Sequence, residues 1–289
     1  MSAATLLKWV GCVVLLGWGA AAHALDQPSY LGPKAKRPAM RVATLAPSLT
    51  EMVLELGAKD RLVGVSRFDD SPEVESLPRL GGFIDPSIEG VVSLKPDLVL
   101  VQPAPGNRAP VEKMAELGVP VLALPMQSMA QTLAAIREVG RALELSDRAE
   151  ALVSKIEATR AQIRARTRGK KPLRVLFVYG FSPLVVAGVG SFAAELLSDA
   201  GAVNAASAAQ TAYSVYSVES AVRDSPQVVI DASDTSIGKE KLALLPGLKE
   251  ARWVKVHSAA LMHPGPRLAQ GLVELHALLY PQKAADAPP

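Results

Sequence analysis

SDRAEALVSKIEATRAQIRARTR, residues 146–168, decides how the rest of the chain is read. Its apolar stripe is thin: Ala149, Leu152, Val153, Ile156 and Ile163. A helix so sparsely apolar cannot be buried on all sides. Ser146 reads as an N-cap, Asp147 and Glu150 fall in the first turn, and Arg164, Arg166 and Arg168 in the last, before Gly169. Those charges complement the helix dipole. About 23 residues at 1.5 Å each span roughly 34 Å, the width of a small domain. A long surface helix on one domain would read this way, and so would a stiff strut between two lobes. The strands that resume at Pro172 favour the strut.

On both sides of it, short apolar runs alternate with helical patterns. Before it, strands are expected at 41–45, 62–65, 98–101 and 121–124, with helices at 109–117 and 129–143. Ser48-Leu49-Thr50-Glu51 reads as a capping box opening a further helix that Gly57 stops. After it come strands at 173–179, 184–187 and 228–231, and helices at 191–200 and 267–279, the last ended by Pro281. Such alternation implies parallel βα units. The expected fold is α/β: two Rossmann-like lobes, 41–145 and 172–281, joined by one long rigid helix, with a ligand cleft between them. A single stiff crossing should restrict hinge closure. Residues 25–40, with three prolines and no periodicity, read as a leader segment, and 282–289 as a tail.

The charge balance, 31 Lys+Arg against 28 Asp+Glu in 289 residues, leaves no dense basic face and argues against nucleic acid as partner. An apolar content of 49% excludes bulk disorder. Residues 1–24 hold Lys8, an apolar run and the small-x-small end Ala22-His23-Ala24, the pattern of a cleavable signal peptide. The only cysteine, Cys12, lies inside that run, so the mature chain would carry neither thiol nor disulfide. A cysteine-free exported α/β chain points to a bacterial periplasm.

An internal repeat is the most informative feature. FIDPSIEGVVSLKPD (83–97) aligns without gaps with YSVYSVESAVRDSPQ (213–227), and each copy runs into a buried strand. Ser87 and Ser217 can cap a short helix whose first turn holds Glu89 or Glu219, and Pro96 and Pro226 end it. Phe83 and Tyr213 sit in the loop before it. Either copy alone reads as an ordinary first-turn glutamate behind a loop aromatic. Two copies, one per lobe, mark a functional pair beside an interlobe cleft.

Other motifs carry less. Gly188-Val189-Gly190-Ser191-Phe192-Ala193 fits G-x-G-x-x-A, but no acid follows at the distance a dinucleotide site needs, so it reads as a turn that requires small residues. His257, His263 and His276 have no metal-ligand spacing, and no metal site is expected. His257, placed before a strand, and His276 read as structural, whereas His263 precedes Pro264-Gly265-Pro266 in a cleft-facing loop. An exported hydrolase using Asp69, Asp85 and His263 is the rival class, but nothing fixes a nucleophile beside a base.

The chain resembles the periplasmic substrate-binding proteins of ABC importers with a single helix between lobes, and most of all their vitamin B12 (cobalamin)-binding branch. The residues that carry the resemblance are RVATLAPSLTE (41–51), VGVSRFDDSP (63–72), LKPDLVLV (94–101) and PGPR (264–267). It implies cobalamin as transported ligand with no cofactor of the protein's own, and no catalysis. It also implies an inner-membrane permease dimer with its cytoplasmic ATPase as partner, onto whose arginines Glu89 and Glu219 would dock. Phe68, Phe83 and Tyr213 fall on aromatic cleft positions, with His263 and Arg267 beside them. Gln102 replaces a cleft tryptophan and Val185 another aromatic, while Ala259 and His263 replace an Asp/Arg pair. Within the same fold the alternatives are a ferric siderophore, for which Arg67, Arg108 and Arg267 are the available cations, and haem, for which Tyr213 or His263 could serve as axial ligand.

Overall fold

The computed structural model describes residues 27–206 and 208–281; the expected signal peptide and tail lie outside the described residues. Two separate sheets form. In the first, β1 (Ser29–Leu31), β2 (Val42–Thr44), β3 (Leu62–Gly64), β4 (Leu98–Val101) and β5 (Val121–Ala123) take the order β1-β5-β4-β2-β3. All pairs are parallel except β1 with β5. The uninterrupted apolar runs of β4 and β5 suit strands covered on both faces. Helices α1 (Pro47–Glu55), α2 (Ile88–Ser93), α3 (Arg108–Glu116) and α4 (Met129–Ala142) complete this lobe.

The strut is α5 (Ser146–Thr167). Beyond it lie β6 (Leu173–Phe181), β7 (Leu184–Ala187), α6 (Phe192–Asp199), β8 (Ala202–Asn204), β9 (Tyr213–Val215), α7 (Val218–Asp224), β10 (Val228–Asp231), α8 (Lys239–Ala243), β11 (Arg252–Lys255), α9 (Ala259–Met262) and α10 (Leu268–Leu279). The second sheet runs β11-β10-β6-β7-β9, with β8 alongside the first half of β6. Helix α5 packs on α4 of the first lobe and on α10 of the second. Its buried residues Ala149, Val153, Ile156 and Ile163 belong to one continuous core that runs through both lobes. Removing that stripe from water couples the lobes as rigidly as a domain interior.

Polar contacts reinforce the coupling. Buried Asp199 on α6 accepts Arg160 Nε and Arg164 Nε from the strut, each at 2.6 Å. Glu195 Oε2, also on α6, accepts the Met129 amide at 2.7 Å, so the second lobe caps a helix of the first.

Several expectations change. Ser146 does not cap the strut: Leu145 holds that position, after Glu144 at φ +52°. The Ser48–Glu51 capping box is absent as well. Pro47 has its φ fixed for a first helical residue, so α1 starts there with Ala46 as N-cap and Ser48 is buried inside the first turn. The segment read as a leader contributes β1 to the first sheet, and Ala35 and Ala39 are buried in the core. Tyr213 is in a strand rather than a loop, because its partner across β7–β9 is Ala187. His257 follows a strand, β11, rather than preceding one. Gly188 does require a small residue: a Cβ there would lie 2.0 Å from the Thr211 carbonyl oxygen.

Candidate functional site

The carboxyl ends of parallel strands are where an α/β sheet presents ligand-binding loops. Beyond β3 the chain stays extended against residues 78–81: Val65 N donates to Pro78 O, Leu80 N to Val65 O and Arg67 N to Gly81 O. That ladder brings Phe68 to the surface, 58% exposed, with the Arg67 guanidinium 5.0 Å from its ring centre. Arg67 also pairs with Asp85 at 2.7 Å. Phe83 is half-buried against the core and Gln102 is the first residue after β4. Asn107, which the sequence reading did not single out, ties these last two segments together. Its Nδ2 donates to Phe83 O and Gln102 O, and its Oδ1 accepts Ala104 N, each at 2.9 Å.

In the second lobe Tyr213 is 53% exposed and its ring lies 5.1 Å from Tyr179, which in turn lies 5.2 Å from Phe177. Three aromatic rings therefore run from the core of this lobe to its surface. Tyr179, also unforeseen, has a buried hydroxyl with no hydrogen-bond partner, and burial pushes its ionisation far up. Burial raises Tyr213 too. Val185 lies across from Val215 on the neighbouring strand and brings no ring.

Where the lobes meet, Arg267 does not present a free guanidinium. Both it and Glu51 of α1 are committed to each other, with Arg267 Nε donating to Glu51 Oε2 at 3.2 Å and Nη2 to Oε1. His263 is beside them; burial lowers its pKa, opposed by the Glu51 charge and assisted by Arg267. Its Nδ1 is buried without a partner. Asp69 is 8% exposed, and its Oδ2 is likewise unpartnered. Burial pushes Asp69 up to about 6, against the Thr50 and Ser66 hydrogen bonds that favour its charged form. Among the described residues, no three His, Cys, Asp or Glu side chains gather so as to hold a metal ion.

The two repeat copies fold alike. Ser87 Oγ accepts Gly90 N at 3.1 Å on α2, and Ser217 Oγ accepts Ser220 N at 3.0 Å on α7. Each helix is followed by a non-glycine residue in the left-handed region, Lys95 at φ +46° and Ser225 at φ +41°, just before its proline. An arginine at the start of each lobe clamps this end. Arg41 donates to the carbonyls of Leu94 and Lys95, and Arg174 to those of Asp224 and Ser225. Glu89 and Glu219, in the first turns, are both exposed, and neither carboxylate has an ion-pair or hydrogen-bond partner among the described residues.

Two α/β lobes on a single strut, tied to each other also by Glu51 and Arg267, have the architecture of a two-lobe binding protein. The sequence profile of the family described as periplasmic binding protein matches residues 42–258, and the chain belongs to that family. It is similar to its vitamin B12-binding branch. A vitamin B12-binding protein of Pectobacterium carotovorum subsp. carotovorum (strain PC1) is 26% identical over 193 residues, covering 66% of this chain and 70% of the relative. The ABC transporter substrate-binding lipoprotein YvrC of Bacillus subtilis (strain 168) is 28% identical over 272 residues, 89% of this chain and 85% of that one. Among solved structures, the periplasmic heme-binding protein RhuT of Roseiflexus sp. RS-1, in its apo form, superposes with a TM-score of 0.73 at 29% identity, covering 84% of this chain and 98% of RhuT. No helix among the described residues is long and apolar enough to cross a membrane.

Proposed function

We propose that this chain is the solute-capturing component of an ABC import system, that its interlobe cleft takes a corrinoid such as cobalamin, and that Glu89 and Glu219 dock it onto the permease dimer. The observation that carries the ligand reading is the pair of exposed aromatic rings, Phe68 from one lobe and Tyr213 from the other. Each offers a flat apolar face with a polar or cationic neighbour, which suits a large, weakly charged macrocycle. The vitamin B12-binding relative supports it. The protein binds and releases its solute unchanged, and works in the periplasm after removal of residues 1–24.

Haem is the second reading. The heme-binding RhuT is 29% identical, and Tyr179 offers a phenol without a partner beside Tyr213. Visible spectra after equilibration with cyanocobalamin, haemin and a ferric siderophore test both. Retention of cyanocobalamin through gel filtration, unaltered on recovery, supports the corrinoid reading; retention of haemin or of the siderophore alone replaces it.

A further inference from the structure

We infer that Asn107 is a positioning residue of the ligand cleft, acting through the backbones of Phe83 and Gln102; this rests on the cleft reading proposed above. Asn107 is 3% exposed and lies in the turn between β4 and α3, set back from the residues that would touch ligand. Its amide uses both donors and its oxygen, each bond at 2.9 Å. The two donors go to different loops. One reaches Phe83 O, 24 residues away, in the first repeat copy; the other reaches Gln102 O at the end of β4. The oxygen accepts Ala104 N and closes the turn on itself.

No other side-chain type reproduces this. Aspartate keeps the acceptor but sets a carboxylate against two carbonyl oxygens, alanine leaves all three backbone groups unpaired in a buried place, and glutamine moves the amide by a methylene. The Phe83 loop is also closed at its base by Ser87 N donating to Leu80 O at 2.8 Å and by the Arg67–Asp85 ion pair, but neither of these holds the Phe83 carbonyl. Gly82 N reaches Asp85 O at 3.4 Å, and exposed Ile84 packs over Gly106 of the same turn. Asn107 therefore fixes the Phe83 carbonyl relative to the Gln102 turn, and the first lobe's half of the cleft is braced before ligand arrives. Binding to such a surface avoids the ordering cost a loose loop would add.

The test uses the full chain carrying Asn107→Ala or Asn107→Asp, each alone and in a Phe83→Ala/Gln102→Ala background. Cyanocobalamin and haemin are titrated by visible absorption, and amide hydrogen exchange is followed by mass spectrometry in segments 80–88 and 101–107. Exchange in both segments should rise about tenfold or more in either variant, with the strut helix unchanged. For the probe that the parent binds, Kd should rise about tenfold, and the same substitution should add less than about twofold once Phe83 and Gln102 are gone. Unchanged exchange in these segments overturns the inference, and so does a full affinity loss that persists in the background lacking both side chains. If the parent protein binds neither probe, the ligand reading fails by itself and the exchange result alone decides for or against Asn107.

Discussion

Glu51 and Arg267, 216 residues apart, form a two-pronged ion pair that joins the first turns of α1 in one lobe to the start of α10 in the other. Gly265 stands 3.6 Å from Ser48 by its virtual Cβ, so the Pro264-Gly265-Pro266 turn rests directly on α1. A charge-assisted fork of this kind, only partly exposed, holds geometry better than a surface pair. Breaking it leaves the other charge behind. Arg267→Ala or Glu51→Gln should lower stability by about 1–3 kcal/mol, and the exchange Glu51→Arg with Arg267→Glu should recover part of the loss. Denaturant unfolding of the four proteins checks this; equal stability throughout would mean that the pair does not couple the lobes.

Asp69 predicts a pH signature of its own. Its pKa rises from 3.8 to about 6 because its carboxyl is buried with Oδ2 unpartnered. The native state thus holds a proton that the unfolded chain has already lost between those values. This group favours folding at low pH, and that contribution is lost as pH rises through about 6. Asp69→Asn should therefore raise stability at pH 7.5, by on the order of 1–3 kcal/mol, and by much less at pH 4. Urea unfolding of both proteins at the two pH values measures the difference. A variant equally destabilised at both would show that the carboxylate is held by contacts that favour its charge.

Much of this was legible in the sequence. The strut was, because its thin stripe and polarised charges are local properties of one segment, and the repeat was, because capping serines, first-turn glutamates and helix-ending prolines are all near neighbours. The caps of α1 and α5 misled for the same reason: a serine before a helical pattern is a good cap unless a neighbour, here Pro47, starts the helix earlier. The short strands β1, β8 and β9 lack the buried apolar run that marked β2, β3 and β5, are partly exposed, and depend on the partner they pair with. Asn107, Tyr179 and the Glu51–Arg267 pair were invisible because their meaning lies in contacts across the fold. No spacing rule reports a partner 216 residues away.

The aromatic rings separate the two ligand readings. Phe68→Ala and Tyr213→Ala should each weaken binding of the preferred macrocycle about 5- to 150-fold, the equivalent of roughly 1–3 kcal/mol of lost apolar contact. Tyr179→Phe removes only a buried hydroxyl with no partner and should leave cyanocobalamin affinity within about twofold, with stability unchanged or slightly higher. If haem is the ligand and Tyr179 meets it, the same substitution should instead shift the visible bands of the haem complex and weaken haem binding. His263→Ala is expected to weaken binding less than either ring. Titration calorimetry of these four variants with both macrocycles distinguishes the outcomes.

The proposed docking role of Glu89 and Glu219 makes the sharpest claim. Glu89 and Glu219 occupy equivalent positions on helices capped by equivalent serines and clamped by equivalent arginines, and both carboxylates are exposed and unpaired among the described residues. Two free acids on rigid, repeat-related supports suit two related permease subunits, each offering a cation, and such bonds strengthen when the surfaces exclude water. Because the strut fixes the lobes, the spacing of the acids should not change on ligand binding, so docking should read the scaffold rather than its closure. Glu89→Ala with Glu219→Ala should leave the dissociation constant of the captured solute within about twofold while binding to reconstituted transporter drops by roughly tenfold or more. Each single variant should fall between, and docking of the parent protein should weaken as salt shortens the reach of the charges. Surface plasmon resonance against nanodisc-held transporter, run at low and high salt, measures all of this. A double variant that docks with parental affinity would leave the paired glutamates as capped-helix residues and nothing more.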